Sequence, residues 1–188
     1  MSNNREKDYY HALYDIAHTI NSSLDLPEVL QRVAKITAEH MHAKACSIRL
    51  LSRDRKRLIF GAAYGLSEQY LRKGDVEVDK SGVDRQVLRG NTVIIPDATE
   101  DERFQYPEWA KLEGIRSVLV VPLATRGQII GVMRVYTAEK REFSDEEIEF
   151  LSLIADLAAL AIDNARLYQL LKGDYEMLLS YQERLFDD

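Results

Sequence analysis

Two runs of almost unbroken apolar residues, 116–124 and 128–136, stand side by side in the second half of the chain, and a long helical pattern follows them. Runs of this length without alternation read as strands covered on both faces. Thr125, Arg126 and Gly127 join them as a three-residue hairpin, with Gly127 suited to the left-handed position such loops require. After the second strand, Ser144 and Glu147 have the spacing of a capping box, and Asp145 and Glu146 place negative charge in the first helical turn. Phe150, Ile154, Leu157, Ala161, Asn164, Tyr168, Leu171, Tyr175, Leu178, Gln182 and Leu185 then fall at steps of four and three. That is a coiled-coil seam with Asn164 as a polar register residue. A continuous helix to residue 186 would be about 64 Å long, more than a globule of this size covers. Its far end therefore needs a partner. A helix that stops at Gly173 and folds back is the alternative, although the seam keeps its phase across that glycine, which costs a helix interior only about 1 kcal/mol.

The first half is less regular. Tyr10, Leu13, Ile16 or Ala17, Ile20 and Leu24 mark one stripe of an amphipathic helix. Asp25 and Glu28 form a second capping box with Pro27 in the first turn, and Val29, Leu30, Val33, Ile36, Thr37 and Met41 mark the inner face of a helix ending near His42. From Ala45 the period changes: ACSIRLL and LIFGAAY read as a hairpin around the charged SRDRKR. Ser67 caps a short helix through Leu71, Gly74 stops it, DVEVD is extended, residues 81–89 form another short helix, and TVIIP is a strand. Residues 97–114 read as a long loop with helical turns, and loops of that length in compact domains are often functional.

Composition narrows the field. The chain has 188 residues, 46% of them hydrophobic, which suits one domain with helical arms. A formal net charge of -6 gives no basic face for nucleic acid. No apolar run of about 18 residues is present to span a bilayer, and the N-terminus lacks the apolar core of a secretory signal, so a cytoplasmic location is expected, with neither nucleic acid nor membrane as partner. Cys46 is the single cysteine, which excludes an internal disulfide or a dithiol redox pair and reads as a small buried hydrophobe. No histidine accompanies a plausible nucleophile, no glycine-rich phosphate loop occurs, and Asp97, Asp101 and Glu102 read as solvated loop acids, so the chain is not expected to be an enzyme.

The strings SIRLL, AAYGLSEQYL, SGVDRQVLRGNTVIIPDATEDERFQYPEW, IRSVLVVPL, GQIIGVMRVYTAE and FSDEEIEFLSLIADLAALAIDNARLY, in this order, resemble the GAF domain family of bacterial signalling type. The resemblance covers residues 25–168, leaving 1–24 as an N-terminal dimerisation helix and 169–188 as a coiled-coil extension. It implies an α+β, profilin-like fold, a six-stranded antiparallel sheet between two helical layers. The first and last helices would form a homodimer bundle through Leu13, Ile16, Ile20, Ile154, Leu157, Ala161, Asn164, Tyr168 and Leu171. Short helices and loops on the other side would enclose a small-molecule pocket. The family also includes cyclic-nucleotide receptors, bilin and haem sensors and a methionine sulfoxide reductase. One cysteine is too few for the reductase, Cys46 on the first strand is badly placed for a covalent bilin, and all four histidines precede that strand, so neither bilin nor haem is expected. The charged motif of cyclic-nucleotide binders is not traceable.

Strand alternation puts Ala45, Ser47, Arg49 and Leu51 on one face, and likewise Ile130, Val132, Arg134 and Tyr136. In the resembling fold these strands are neighbours, so Arg49 and Arg134 would lie side by side toward the pocket. Two guanidinium groups there would bind a carboxylate or phosphate bidentately, with Tyr64, Tyr136 and Trp109 as walls and Asp97 at the site. Alternatively the arginines pair with internal acids such as Asp97 or Glu77, and Trp109 anchors the loop. The expected role is a sensor that binds a small, anionic effector; a dimerisation or interaction module without ligand is the alternative.

Overall fold

The computed structural model describes residues 2–23 and 25–186, and side chains within 7–23 and 25–177. Leu24 of the first stripe and the side chains of Leu178, Gln182 and Leu185 of the seam lie outside the described residues.

The chain opens with helices α1 (Ser2–Ser22) and α2 (Leu26–His40), continues through strands β1 (Ala45–Leu51) and β2 (Arg57–Tyr64), and enters short elements: α3 (Glu68–Leu71), β3 (Val76–Glu77), a 3₁₀ turn (Val78–Lys80), α4 (Gly82–Val87), β4 (Val93–Ile95) and α5 (Pro107–Glu113). Strands β5 (Val118–Thr125) and β6 (Gln128–Tyr136) and helix α6 (Asp145–Phe186) complete it. The six strands form one sheet in the order β3-β2-β1-β6-β5-β4, every pair antiparallel. Central β1, β5 and β6 are buried along most of their length, as their unbroken apolar character requires.

Alternation along the strands creates two cores. Cys46, Ile48, Leu119, Val121, Met133 and Val135 face α1, α2 and α6. Ala45, Leu58, Val118, Val120, Val132 and Tyr136 face the short helices and loops. Ile130 departs from the expected alternation: a register shift between Leu123 and Ala124 lets it pack with the helical core although Val132 and Tyr136 face the other way. The β5–β6 hairpin also differs from the expected three-residue loop. Thr125 pairs with Gln128, so only Arg126 (φ 50°) and Gly127 (φ 75°) form the turn, and both lie in the left-handed region of a type I′ turn. A non-glycine residue is unusual there; the Arg126 guanidinium lies 2.9 Å from Asp163 of α6.

Asp25 caps α2 one way only, its own amide donating to the Ser23 hydroxyl, whereas the capping box of α6 closes both ways. Asp25 accepts from the Glu28 amide at 3.1 Å. Ser144 and Glu147 bond reciprocally, the Glu147 amide to the Ser144 hydroxyl at 3.2 Å and the Ser144 amide to the Glu147 carboxylate at 3.0 Å. Helix α6 runs unbroken through Gly173 for 42 residues, about 63 Å.

The terminal helices contribute to the protomer's own core as well as to its surface. Tyr9 stacks on Phe150 with ring centroids 4.0 Å apart, and this contact turns Ala12, Ile16 and Thr19 inward, while Tyr10 and Tyr14 point to solvent. Ile16 and Ile154, expected at a dimer contact, are completely buried inside the protomer, and Ala161 is buried as well. Leu13, Ile20 and Leu157 are partly buried against the same core. The described seam residues left on the surface are Asn164, Tyr168, Leu171 and Tyr175, joined by Leu153 and Leu160.

Candidate functional site

On the loop side of the sheet, β1 and β6 pair Ser47 with Arg134 and Arg49 with Val132, so the two arginines are diagonal neighbours on one face. Each is only 3% exposed. A buried charge must find a partner or hydrogen bonds, and the two do so differently. Arg134 forms an ion pair with Asp84 of α4. The other Asp84 oxygen accepts from the Ser81 hydroxyl at 2.6 Å, and that hydroxyl accepts from the Asp84 amide at 3.2 Å, capping α4. Burial works against the charge on Arg134, but the Asp84 carboxylate outweighs it and holds the guanidinium firmly protonated. Arg49 has no carboxylate within ion-pair distance among the described residues; its Nη1 donates to the carbonyls of Leu58 (3.2 Å) and Gly74 (3.3 Å). Burial, and then Arg134, push its pKa down.

Around this pair stands a polar and aromatic shell. Tyr136 and Ser47 share a hydrogen bond of 2.9 Å, and Tyr70 of α3 meets Tyr136 edge-on with centroids 6.3 Å apart. The Lys73 ammonium lies 3.2 Å from the Tyr70 ring centroid and 5.6 Å from that of Tyr106. Burial, reinforced by Arg134 and Arg49, pushes the Lys73 pKa down to about 6. Three buried polar atoms here lack a hydrogen-bond partner among the described residues: Arg134 Nε, Tyr70 Oη and Gln105 Oε1. Such atoms are uncommon in folded proteins and mark places where water or an ion binds. The cavity between Lys73, Ser81, Asp84, Gln105, Tyr106 and Arg134 has a volume of only about 10 Å³, room for about one water. The pocket expected from the resemblance is thus largely filled by the protein's own side chains.

The other sequence-derived candidates divide. Tyr136 belongs to the site. Tyr64 does not: it pairs with Cys46, faces the helical layer, and its hydroxyl lies 3.4 Å from Glu39 of α2. A glycine bulge in β2 between the partners of Ile48 and Arg49 shifts the alternation that would have turned it toward the arginines. Asp97 is bound to Lys140 at 2.7 Å and to the amide and hydroxyl of Thr99, bracing the loop after β4. Burial raises its pKa, but Lys140, Thr99 and Arg116 outweigh this and hold it well below the usual carboxylate range. Trp109 on α5 is half-buried against the loop-side core, outside the cavity lining.

A larger cavity lies elsewhere again, an open groove of about 890 Å³ between the end of α1, the start of α2 and α6, lined by residues such as Ile20, Leu26, Asn164 and Tyr168. No buried charge faces it, so its size does not outweigh the chemistry of the arginine site. Among the described residues no cluster of three or more His, Cys, Asp or Glu could hold a metal ion, and no helix is long and apolar enough to cross a membrane.

Comparison with known proteins matches residues 25–162 to the GAF domain model. The chain belongs to the GAF domain family. Its sequence is 27% identical over 172 residues to a formate hydrogenlyase transcriptional activator of Salmonella typhimurium, covering 88% of this chain and 25% of that protein. It is 28% identical over 162 residues to a methyl sulfide methyltransferase-associated sensor of Methanosarcina acetivorans, covering 84% of this chain and 16% of that protein. The chain therefore spans a quarter or less of these two regulators. Among solved structures, the GAF domain of an Acinetobacter phosphoenolpyruvate-protein phosphotransferase superposes with a TM-score of 0.71 at 27% identity, covering 84% of this chain and 93% of that one.

Within this GAF domain, sequence reasoning missed Asp84, Ser81, Tyr70 and Lys73. Asp84 had a signal: it lies between Val83 and Val87 on the inner side of a short helix, three residues after the capping serine, where a carboxylate is drawn inward. Lys73 had none, because only the folded chain places it over Tyr70.

Proposed function

We propose that this GAF domain is a cytoplasmic sensory module of a signalling protein. It binds a small anionic effector at Arg134 and Arg49 and couples occupancy to the packing of α1 and α6 across a homodimer. The observation that carries the reading is the charge balance on the loop side: among the described residues two buried guanidinium groups face one buried carboxylate, and Arg134 Nε is left without a partner. An incoming carboxylate would supply the missing acceptor through bidentate hydrogen bonds. Because the cavity is small, α4 is the moving element: this six-residue helix shifts to admit the effector beside Asp84.

Strand β6 offers the route outward. It presents Arg134 to the site and, on its other face, Met133 and Val135 to the helical core. A displacement of β6 thus reaches the packing of α6. The ligand shifts that packing only by as much as it binds one arrangement better than the other. Kinship with a transcriptional activator and a sensor supports a regulatory rather than catalytic role. Cys46 faces the helical core, away from the site, so the reading includes no covalent bilin, and no histidine lines the cavity to hold haem.

The same small cavity favours a second reading, a dimerisation or interaction module without ligand. Isothermal titration with formate, acetate and phosphate separates the two. Saturable binding in the wild type that is lost in the double variant Arg134→Met, Asp84→Leu supports the sensor. Absence of saturable binding by all three anions leaves the interaction module.

A further inference from the structure

Lys73 stands at the rim of the arginine site on the turn between α3 and Gly74, whose φ of 90° reverses the chain there. Its amine is packed over the Tyr70 ring and lines the same small cavity as Arg134, Asp84 and Gln105. The charged and titratable groups around it come from every adjoining element: Arg49 from β1, Arg134 from β6, Asp84 from α4, Glu113 from α5, and the rings of Tyr70 and Tyr106. One carboxylate at the centre of this set is already bound to Arg134.

We propose that Lys73 is the third cation of the anion site and takes up a proton as the anion enters, so that a small carboxylate binds as the elements of its conjugate acid. This rests on the anion-site reading above. Without anion, burial and two guanidinium groups hold Lys73 largely neutral at pH 7, with a pKa of about 6. A carboxylate added beside Asp84 cancels the excess positive charge of the two guanidinium groups. An opposite charge within about 4–6 Å moves a pKa by roughly 1–3 units toward the charged form, which carries Lys73 across neutrality. Lysine suits this role better than a third arginine, because its ammonium sheds its proton readily when buried, whereas arginine does not. The expected ligand is a small planar carboxylate, since the cavity holds only about one water before α4 moves.

The test is isothermal titration of acetate into the full chain at pH 7.5, in buffers of different ionisation enthalpy, repeated from pH 6 to pH 9. Acetate is ionised throughout that range, so any proton taken up belongs to the protein. The wild type is expected to take up a substantial fraction of one proton per acetate. Its affinity is expected to fall as pH rises above about 6, by up to about tenfold per pH unit. Lys73→Arg should bind acetate with no proton uptake, and Lys73→Met should bind more weakly with a flat profile, with circular dichroism confirming that both are folded. Acetate binding by the wild type with no proton uptake, or a Lys73→Met profile that matches the wild type, overturns this inference while leaving the anion site standing. Absence of acetate binding at every pH overturns both.

Discussion

Arg134 of β6 and Asp84 of α4 form an ion pair whose side chains are 4% and 2% exposed. Fifty residues separate them in the chain. Replacing one partner leaves the other as an uncompensated buried charge. Asp84→Ala is therefore expected to destabilise the protein by about 3–5 kcal/mol, whereas Arg134→Met with Asp84→Leu should be close to neutral. Urea denaturation measures both. Because Asp84→Ala leaves the Arg134 guanidinium without its carboxylate, acetate should also recover part of the lost stability of this variant and none of that of the double variant.

Stability should depend on pH in a way that identifies Lys73. Its folded pKa of about 6 lies below the unfolded value of about 10.4. Between those limits the unfolded chain binds more protons, so the unliganded protein gains stability as pH rises. Lys73→Met should flatten the profile over this range in urea titrations. At the acid end the sign is set by Asp97, whose folded pKa is depressed. Its contribution is present above about pH 4 and is lost on further acidification, and Lys140→Met should reduce that loss.

Gly131 of β6 stands opposite Leu50 on the neighbouring β1. A Cβ there would lie 2.3 Å from the Arg49 carbonyl oxygen and 3.1 Å from Leu123 Cδ1. Backbone cannot give way as a side chain can, so Gly131→Ala is expected to cost at least about 1–3 kcal/mol. Because the obstructed carbonyl belongs to Arg49, this variant should weaken acetate binding as well as stability. Thermal unfolding with and without acetate separates the two effects.

The dimer reading concerns the outer surface of α6, where Leu160, Tyr168 and Leu171 are 50%, 53% and 69% exposed. Leu160→Glu with Tyr168→Glu should convert a dimer to a monomer in light scattering while leaving helical circular dichroism intact. Ile154→Ala, by contrast, should lower stability by about 2–5 kcal/mol through a core cavity.

The sheet and the long helix were legible because their signals are local. Apolar runs over β5 and β6 have no alternative reading, and Ser144 with Glu147 fixes the start of α6 through bonds within four residues. The site was legible only in part. Arg49 and Arg134 stand out as charges inside apolar runs, yet the acid that binds Arg134 was not Asp97 or Glu77. Asp84 reaches it through a fold that no spacing reveals. The stripe of α1 is one position off at its start for a similar reason: Tyr10 was expected on the inner face, but Tyr9 takes that place by stacking on Phe150, distant in sequence, and Tyr10 is exposed. At the β5–β6 turn the glycine was recognised, but Arg126 in a left-handed conformation was not, since side chains disfavour it.

The most direct measurement of the central claim is the Nε–Hε resonance of Arg134 in protein labelled with ¹⁵N-arginine, assigned by Arg134→Lys and followed as sodium acetate is added, with sodium chloride as control. The account predicts a saturable shift of this resonance, smaller movement of Arg49, and no response to chloride. An Arg134 resonance that stays fixed at acetate concentrations up to tens of millimolar, or that moves equally with chloride, would contradict it.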